Sequence, residues 1–194
     1  MPKPYCTILA GPNGSGKTSI YEKLRPVGEF VNADVIAASL PDDIVNGARR
    51  VRAGKIAISR LNELIDGRAD FVFETTLSSK HSLGVMRRAR AAGFTVGLVY
   101  VILDTPDRHV ERVRFRTNLG GHPIPEIDIV RRYEASLSHL GAALKLAVEA
   151  VVIDNSSRMP SLMFQILDGS VASIDYDRGK SLHQRIARIL TEAF

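Results

Sequence analysis

At 194 residues, with 45% hydrophobic and 24% charged residues, the chain is long enough to bury one sizeable core and has the composition of an ordinary globular domain. A single cysteine, Cys6, excludes an internal disulfide framework, and no apolar run is long enough to cross a bilayer, so no membrane partner is expected. The net charge of +5 comes mostly from arginine, but the arginines are scattered, aromatics make up only 6% and Trp is absent, which argues against a nucleic-acid substrate.

Met1-Pro2-Lys3-Pro4 is not an apolar leader, and the expectation is a cytoplasmic enzyme with one domain over 1–194. Tyr5-Cys6-Thr7-Ile8-Leu9-Ala10 reads as a short buried strand and Thr18 to Leu24 as a helix. Between them stands Gly11-Pro12-Asn13-Gly14-Ser15-Gly16-Lys17-Thr18, which matches the phosphate-loop pattern G-x-x-x-x-G-K-[ST] at every defined position. Gly14 and Gly16 permit backbone angles that a side chain would block, so that successive N–H groups turn inward. The positive end of the following helix completes an anion cradle. Lys17 is placed to reach the β- and γ-phosphates, and the Thr18 hydroxyl to hold Mg²⁺. Gly11, Asn13, Gly14, Ser15, Gly16, Lys17, Thr18 and Ser19 form the expected phosphate-binding set.

Glu29-Phe30-Val31-Asn32 reads as a second strand ending in Asn32-Ala33-Asp34, where open α/β sheets place ligands. Asp34 could cap the turn Val35 to Ala38, but its place after the second strand favours a general base that takes a hydroxyl proton. Pro41 with Asp42 and Asp43 opens a long helix to about Asp66. Its apolar positions are Ala48, Val51, Ile56, Ile58, Leu61, Leu64 and Ile65, with Arg49, Arg50, Arg52 and Lys55 on the wet face. Gly67 ends that helix. Asp70-Phe71-Val72-Phe73 is a buried strand, and Glu74-Thr75-Thr76 follows at its end. Glu74 and Thr76 serve either as loop caps or, the favoured reading, as contacts to a substrate's hydroxyls.

A helix over Leu83–Ala92 closes at Gly93, and Phe94 to Leu103 is the most apolar strand. Asp104 is either a metal-side acid or, preferably, the cap of the helix from Asp107 to Thr117. Arg108, Arg112 and Arg116 share one face of that helix. The Gly/Pro-rich loop Asn118 to Pro125, containing His122, leads to a long helix from Glu126 that carries Arg131-Arg132-Tyr133. Like charges crowded on a face repel, so this region reads as a mobile lid around 112–132. Arg112, Arg116 and one of Arg131 or Arg132 would face phosphates, whereas Arg108 and Arg114 stay solvated. His122 reads as a loop-shaping or substrate-contacting residue rather than a metal ligand. Ala150 to Ile153 is the last parallel strand, with Asn155 in a wall for the nucleotide base. Met163 to Leu167 and Val171 to Tyr176 form a small hairpin across Asp168-Gly169, and Ser181 to Ala193 a closing helix. The fold class is therefore α/β, a three-layer α/β/α sandwich on a mostly parallel sheet.

The ordered set of phosphate loop, Asn32-x-Asp34, Glu74-x-Thr76, Arg116 before Gly120-Gly121-His122, Arg131-Arg132-Tyr133 and Asp154-Asn155-Ser156 resembles the zeta toxin family of phosphate-loop kinases, in its short stand-alone branch. The resemblance implies ATP with Mg²⁺, Lys17 and Thr18 on nucleotide and metal, and Asp34 as base. It also implies Glu74 and Thr76 on the acceptor and the arginines on phosphates; Asn32 and His122, read from their own positions, complete the expected acceptor-binding set. A small-molecule acceptor such as the 3′-hydroxyl of UDP-N-acetylglucosamine and an antitoxin partner are further implications. One position departs: the prototypic toxins carry an arginine two residues after the Glu-x-Thr element, and Ser78 stands here. The same residues would serve a metabolic or nucleotide kinase, a nucleotide-binding ATPase or switch without an acceptor, or a nucleic-acid-dependent ATPase.

Overall fold

The computed structural model describes residues 2–41 and 46–194. Strand β1 (Tyr5–Ala10) runs up the middle of a seven-stranded sheet and feeds the phosphate loop, after which helix α1 (Lys17–Leu24) leads to β2 (Glu29–Val31). Helices α2 (Ala33–Ser39) and α3 (Asn46–Asp66) follow, then β3 (Phe71–Thr75), α4 (Lys80–Ala91) and β4 (Thr95–Ile102). Helices α5 (Pro106–Asn118) and α6 (Glu126–Leu146) lead to β5 (Glu149–Asp154), the hairpin β6 (Ser161–Leu167) and β7 (Ser170–Ile174), and the closing helix α7 (Ser181–Ala193). The strand order is β2-β3-β1-β4-β5-β6-β7, with β2 through β5 parallel and the hairpin antiparallel at one edge.

The α/β class follows from the strands themselves. The β4 sequence Thr-Val-Gly-Leu-Val-Tyr-Val-Ile is buried almost throughout, as a parallel strand covered on both faces must be. Phe71, Ile8, Leu98, Tyr100 and Phe164 of the sheet belong to one hydrophobic core, joined by Met86 of α4, Leu137 of α6 and Ile186 of α7. The hairpin expected near the C-terminus is not a separate appendage. Its β6 pairs with β5, so the central sheet runs on through it, and Asp168 (φ 50°) and Gly169 (φ 72°) make the tight turn.

Two local expectations shift. The start of the long helix at Asp42 and Asp43 lies outside the described residues; the described helix runs Asn46–Asp66. Its apolar face is Ala53, Ala57, Leu61, Leu64 and Ile65, while Val51, Ile56 and Ile58 are exposed. Small alanines every fourth residue let the helix approach the sheet, and the bulkier side chains fall out of phase with them.

Register places the chemistry. Leu9 pairs with Glu74 and Ala10 with Thr75, so the end of β1 lies beside the end of β3. Val31 pairs with Phe73, which brings Asn32 alongside Glu74. The carboxyl ends of β1, β2 and β3 thus lie side by side, where open α/β sheets bind ligands.

Candidate active site

The phosphate loop leaves β1 with its geometry set by glycine. At Gly14 (φ +78°) a Cβ would lie 2.7 Å from the His109 carbonyl oxygen, and at Gly16 (φ +92°) 2.3 Å from Asn155 Nδ2. Gly16 begins α1 without any side-chain cap, and no acid stands in the first turn, so that helix end offers its N–H groups to an anion. The Ser15 hydroxyl is buried without a hydrogen-bond partner among the described residues. Lys17 is buried, and its Nζ donates to the carbonyls of Gly11 (2.8 Å) and Pro12 (3.2 Å) and lies 3.6 Å from Glu74 Oε1. Burial pulls the Lys17 amine below its ordinary value; Glu74 and Asp34 oppose the shift and Arg116 adds to it. Thr18 and Ser19 are exposed on the first turn of α1.

Asn32 is the N-cap of α2: its Oδ1 accepts from the backbone N–H of Asp34 (2.7 Å) and Val35 (3.4 Å). Its Nδ2 donates to Glu74 Oε2 at 2.7 Å. Both ends of the Asn32 side chain are thus engaged within the protein, and they hold Glu74 in place. The cap is Asn32 and not Asp34, which leaves the Asp34 carboxylate exposed in the first turn of α2. Thr76 Oγ1 pairs with Ser78 Oγ at 2.8 Å, so the serine at the departing position is bound to Thr76. Beyond them, buried Leu77 takes a left-handed backbone (φ 55°) that turns the chain sharply out of β3.

The arginines divide sharply. Arg132 Nη1 donates to Asn13 Oδ1 at 2.9 Å, whereas Arg131 is exposed and pairs with Asp128 at 2.9 Å. Arg112 is half-buried and donates to the Asn155 carbonyl (2.7 Å), while Asn155 Nδ2 donates to the Ser15 carbonyl (2.8 Å). Asn155 is therefore tied to the phosphate loop itself. Arg116 is exposed, and its side chain has no hydrogen bond or ion pair among the described residues. The helix it ends turns back on it, with Gly121 N donating to the Arg116 carbonyl at 3.0 Å. His122 Nε2 lies 2.7 Å from Arg50 Nη2, which also donates to the Pro123 carbonyl. Arg50, exposed as expected of the wet face, also bridges α3 to the 118–125 loop beside a hollow of about 440 Å³.

Arg108 donates to the Ser156 carbonyl at 2.6 Å and lies 3.4 Å from Asp104. Thr105, one residue beyond Asp104, caps α5. Sequence reading passed over His109, which is fully buried on α5 with its ring against Tyr133 at 5.3 Å. A polar residue on the apolar face marked by Val110 and Val113 was the available signal. It also passed over the pairing of buried Asp154 with His183 (3.0 Å) and Lys180 (3.3 Å), which ties α7 to β5. Burial works to raise the Asp154 carboxyl, but hydrogen bonds from Ser156, His183 and Lys180 hold it below the ordinary carboxylate range.

No protein-family model matches the chain. It is 30% identical over 130 residues to an uncharacterised protein of Haemophilus influenzae, which covers 66% of this chain and 89% of that protein. A chain of the AvrRxo1-ORF1:ORF2 complex with ATP superposes with a TM-score of 0.70 at 17% identity, over 97% of this chain. This chain spans only 64% of that longer one. A chain from the PezAT chromosomal toxin–antitoxin system of Streptococcus pneumoniae superposes with a TM-score of 0.61 at 16% identity, over all of this chain and 87% of that one.

Proposed function

The chain belongs to one family with the uncharacterised Haemophilus influenzae protein and has the fold of zeta-toxin-like phosphate-loop kinases, and from that premise we propose that it is an ATP-dependent phosphotransferase acting on the hydroxyl of a small acceptor. The observation that carries this reading is the setting of Lys17. Its buried amine bonds to the phosphate-loop carbonyls of Gly11 and Pro12 and lies 3.6 Å from the Glu74 carboxylate, at the start of a helix with no side-chain cap, and exposed Asp34 is among the charges that act on it.

On ATP binding, the Lys17 amine exchanges the Gly11 and Pro12 carbonyls for the β- and γ-phosphates. This exchange relieves the desolvation of Lys17, because a dianionic partner replaces neutral carbonyls. Glu74, held by Asn32, accepts a hydrogen bond from an acceptor hydroxyl. Asp34 takes the proton of the reacting hydroxyl, the oxygen attacks the γ-phosphorus, and the bond to the β–γ bridging oxygen breaks to release ADP. Arg116 and Arg132 stabilise the charge spread over the moving phosphoryl group. The orphan Ser15 hydroxyl and open N–H groups suit phosphate, and Thr18 would hold Mg²⁺, which supplies charge neutralisation at the β- and γ-oxygens when bound.

The family likeness supports UDP-N-acetylglucosamine, at its 3′-hydroxyl, as the acceptor to test first. The toxin–antitoxin setting of the PezAT neighbour supports an antitoxin protein as partner. The region 112–132 serves as the Arg-bearing lid, its base fixed to Asn155 through Arg112 and to Asn13 of the loop through Arg132, and its tip carrying Arg116 and His122. The test is mass spectrometry of the products after incubation with ATP, Mg²⁺ and a metabolite extract, with added UDP-N-acetylglucosamine in a parallel sample. A species heavier by one phosphoryl group, absent with the Lys17→Ala variant, is the expected result. ATP turnover with no phosphorylated acceptor in either sample would refute the transfer and leave an ATPase.

A further inference from the structure

Resting on that nucleotide reading, we infer that His109 is a positioning residue of the phosphate loop, whose Nδ1–H holds the Asn13 carbonyl outward so that the next N–H, that of Gly14, faces the triphosphate.

Histidine 109 lies on α5, far along the chain from the loop, and is fully buried. Its Nδ1 lies 2.7 Å from the Asn13 carbonyl oxygen, and its Nε2 lies 3.1 Å from Leu103 N. A carbonyl only accepts and a backbone N–H only donates, so the tautomer is determined: Nδ1 carries the proton and Nε2 is the acceptor. Burial, opposed by the bond to Asn13 and reinforced by the charges of Lys17 and Arg112, pushes the ring down to about 4 and keeps it neutral in that tautomer near pH 7. The ring is fixed from the other side by Tyr133, packed edge to face.

The consequence for the loop follows from the planarity of the peptide. In a trans peptide the carbonyl of one residue and the N–H of the next point in opposite directions. Fixing the Asn13 oxygen on His109 therefore aims the Gly14 N–H away from α5, into the loop. Asn155 performs the same operation two residues on: its Nδ2 holds the Ser15 carbonyl and so aims the Gly16 N–H inward. Neither the Gly14 nor the Gly16 N–H has an acceptor among the described residues. The main chain of α5 adds to the restraint, since the His109 carbonyl fills the space a Cβ on Gly14 would need. The loop donors are thus held in place before any phosphate arrives, and the ordering cost on binding falls accordingly.

Two substitutions separate the two ring nitrogens. Asparagine places an amide N–H where Nδ1 stands, keeping the bond to Asn13 and losing the one from Leu103. Glutamine places its oxygen where Nε2 stands, keeping the bond from Leu103 and losing the one to Asn13. ATP dissociation constants are measured calorimetrically for the wild type, His109→Asn and His109→Gln, with the urea stability of each sample recorded. His109→Gln is expected to bind ATP roughly tenfold more weakly than His109→Asn, the loss of one pre-aimed donor to a charged group, whatever the order of their stabilities. Equal affinities for the two variants, or weaker binding by the asparagine variant, would overturn the inference. The ¹⁵N spectrum of the wild-type imidazole gives a readout that needs no variant. An Nδ1–H tautomer whose resonance moves on ATP addition is expected, and an Nε2–H tautomer or a resonance indifferent to ATP would overturn it. A wild type that binds no ATP would instead remove the nucleotide reading itself.

Discussion

Acid titration offers a quantitative test of how His109 is held. In the unfolded chain an imidazole takes up its proton near 6.5, whereas in the folded chain burial delays this to about 4. The folded pKa is depressed, so the unfolded state binds more protons between these values, and stability falls as pH drops below about 6.5. At pH 4.5 the unfolded ring is almost wholly charged and the folded ring mostly neutral. That difference amounts to about 2.5 kcal/mol lost relative to pH 7.5, and the loss levels off below about pH 4. Urea unfolding at pH 7.5 and pH 4.5 measures the total change, which also contains the carboxylates. Repeating it with His109→Gln removes the imidazole but leaves those carboxylates in place. The wild type should therefore lose about 2.5 kcal/mol more than the variant across this interval, although the variant is the less stable protein at pH 7.5. Equal losses in the two proteins would show that the ring already carries its proton in the folded state, and the account of its environment would be wrong.

Other perturbations separate residues that look alike in sequence. Arg132→Ala should lower the phosphoryl-transfer kcat/KM for ATP by roughly tenfold to hundredfold, and Arg131→Ala by less than about threefold, since only Arg132 reaches Asn13; steady-state kinetics at fixed acceptor read this, and equal effects would refute the division. Gly14→Ala should abolish measurable ATP binding, because its Cβ would meet the His109 carbonyl and the residue would hold a left-handed backbone at a cost of about 1–2 kcal/mol; wild-type affinity in calorimetry would contradict that. His183→Leu removes a donor from buried Asp154 and should destabilise the fold by about 1–3 kcal/mol, with early proteolytic release of α7; an unchanged urea midpoint and cleavage pattern would count against the tie between α7 and β5.

The loop was legible because its chemistry is local: eight consecutive residues specify the turn, the helix start and the cation together. The closing helix was legible for a similar reason, its apolar positions repeating at helical spacing over Ser181–Ala193. What sequence left open was decided by contacts between distant segments. Arg131 and Arg132 are neighbours in sequence, yet the docking of α6 turns one to Asn13 and leaves the other to Asp128. His109 stayed hidden because its partners are backbone groups, and a carbonyl carries no trace of its partner in its residue type. Asn32 reads in sequence as a substrate contact, whereas its part as the α2 cap and a prop for Glu74 depends on β2 lying beside β3. The hairpin was visible from Asp168-Gly169, but its attachment to β5 required the register that only the assembled sheet supplies.

The central claim is that Asp34 acts as the base across from a nucleotide held by the Lys17 loop. It is met most directly by measuring ATP affinity and single-turnover phosphoryl transfer for Asp34→Ala beside the wild type, with the acceptor found by product analysis. For Asp34→Ala, ATP affinity close to that of the wild type and a transfer rate reduced by roughly a hundredfold to ten-thousandfold are expected. Transfer at the wild-type rate, or loss of ATP binding without a separate loss of transfer, would contradict it.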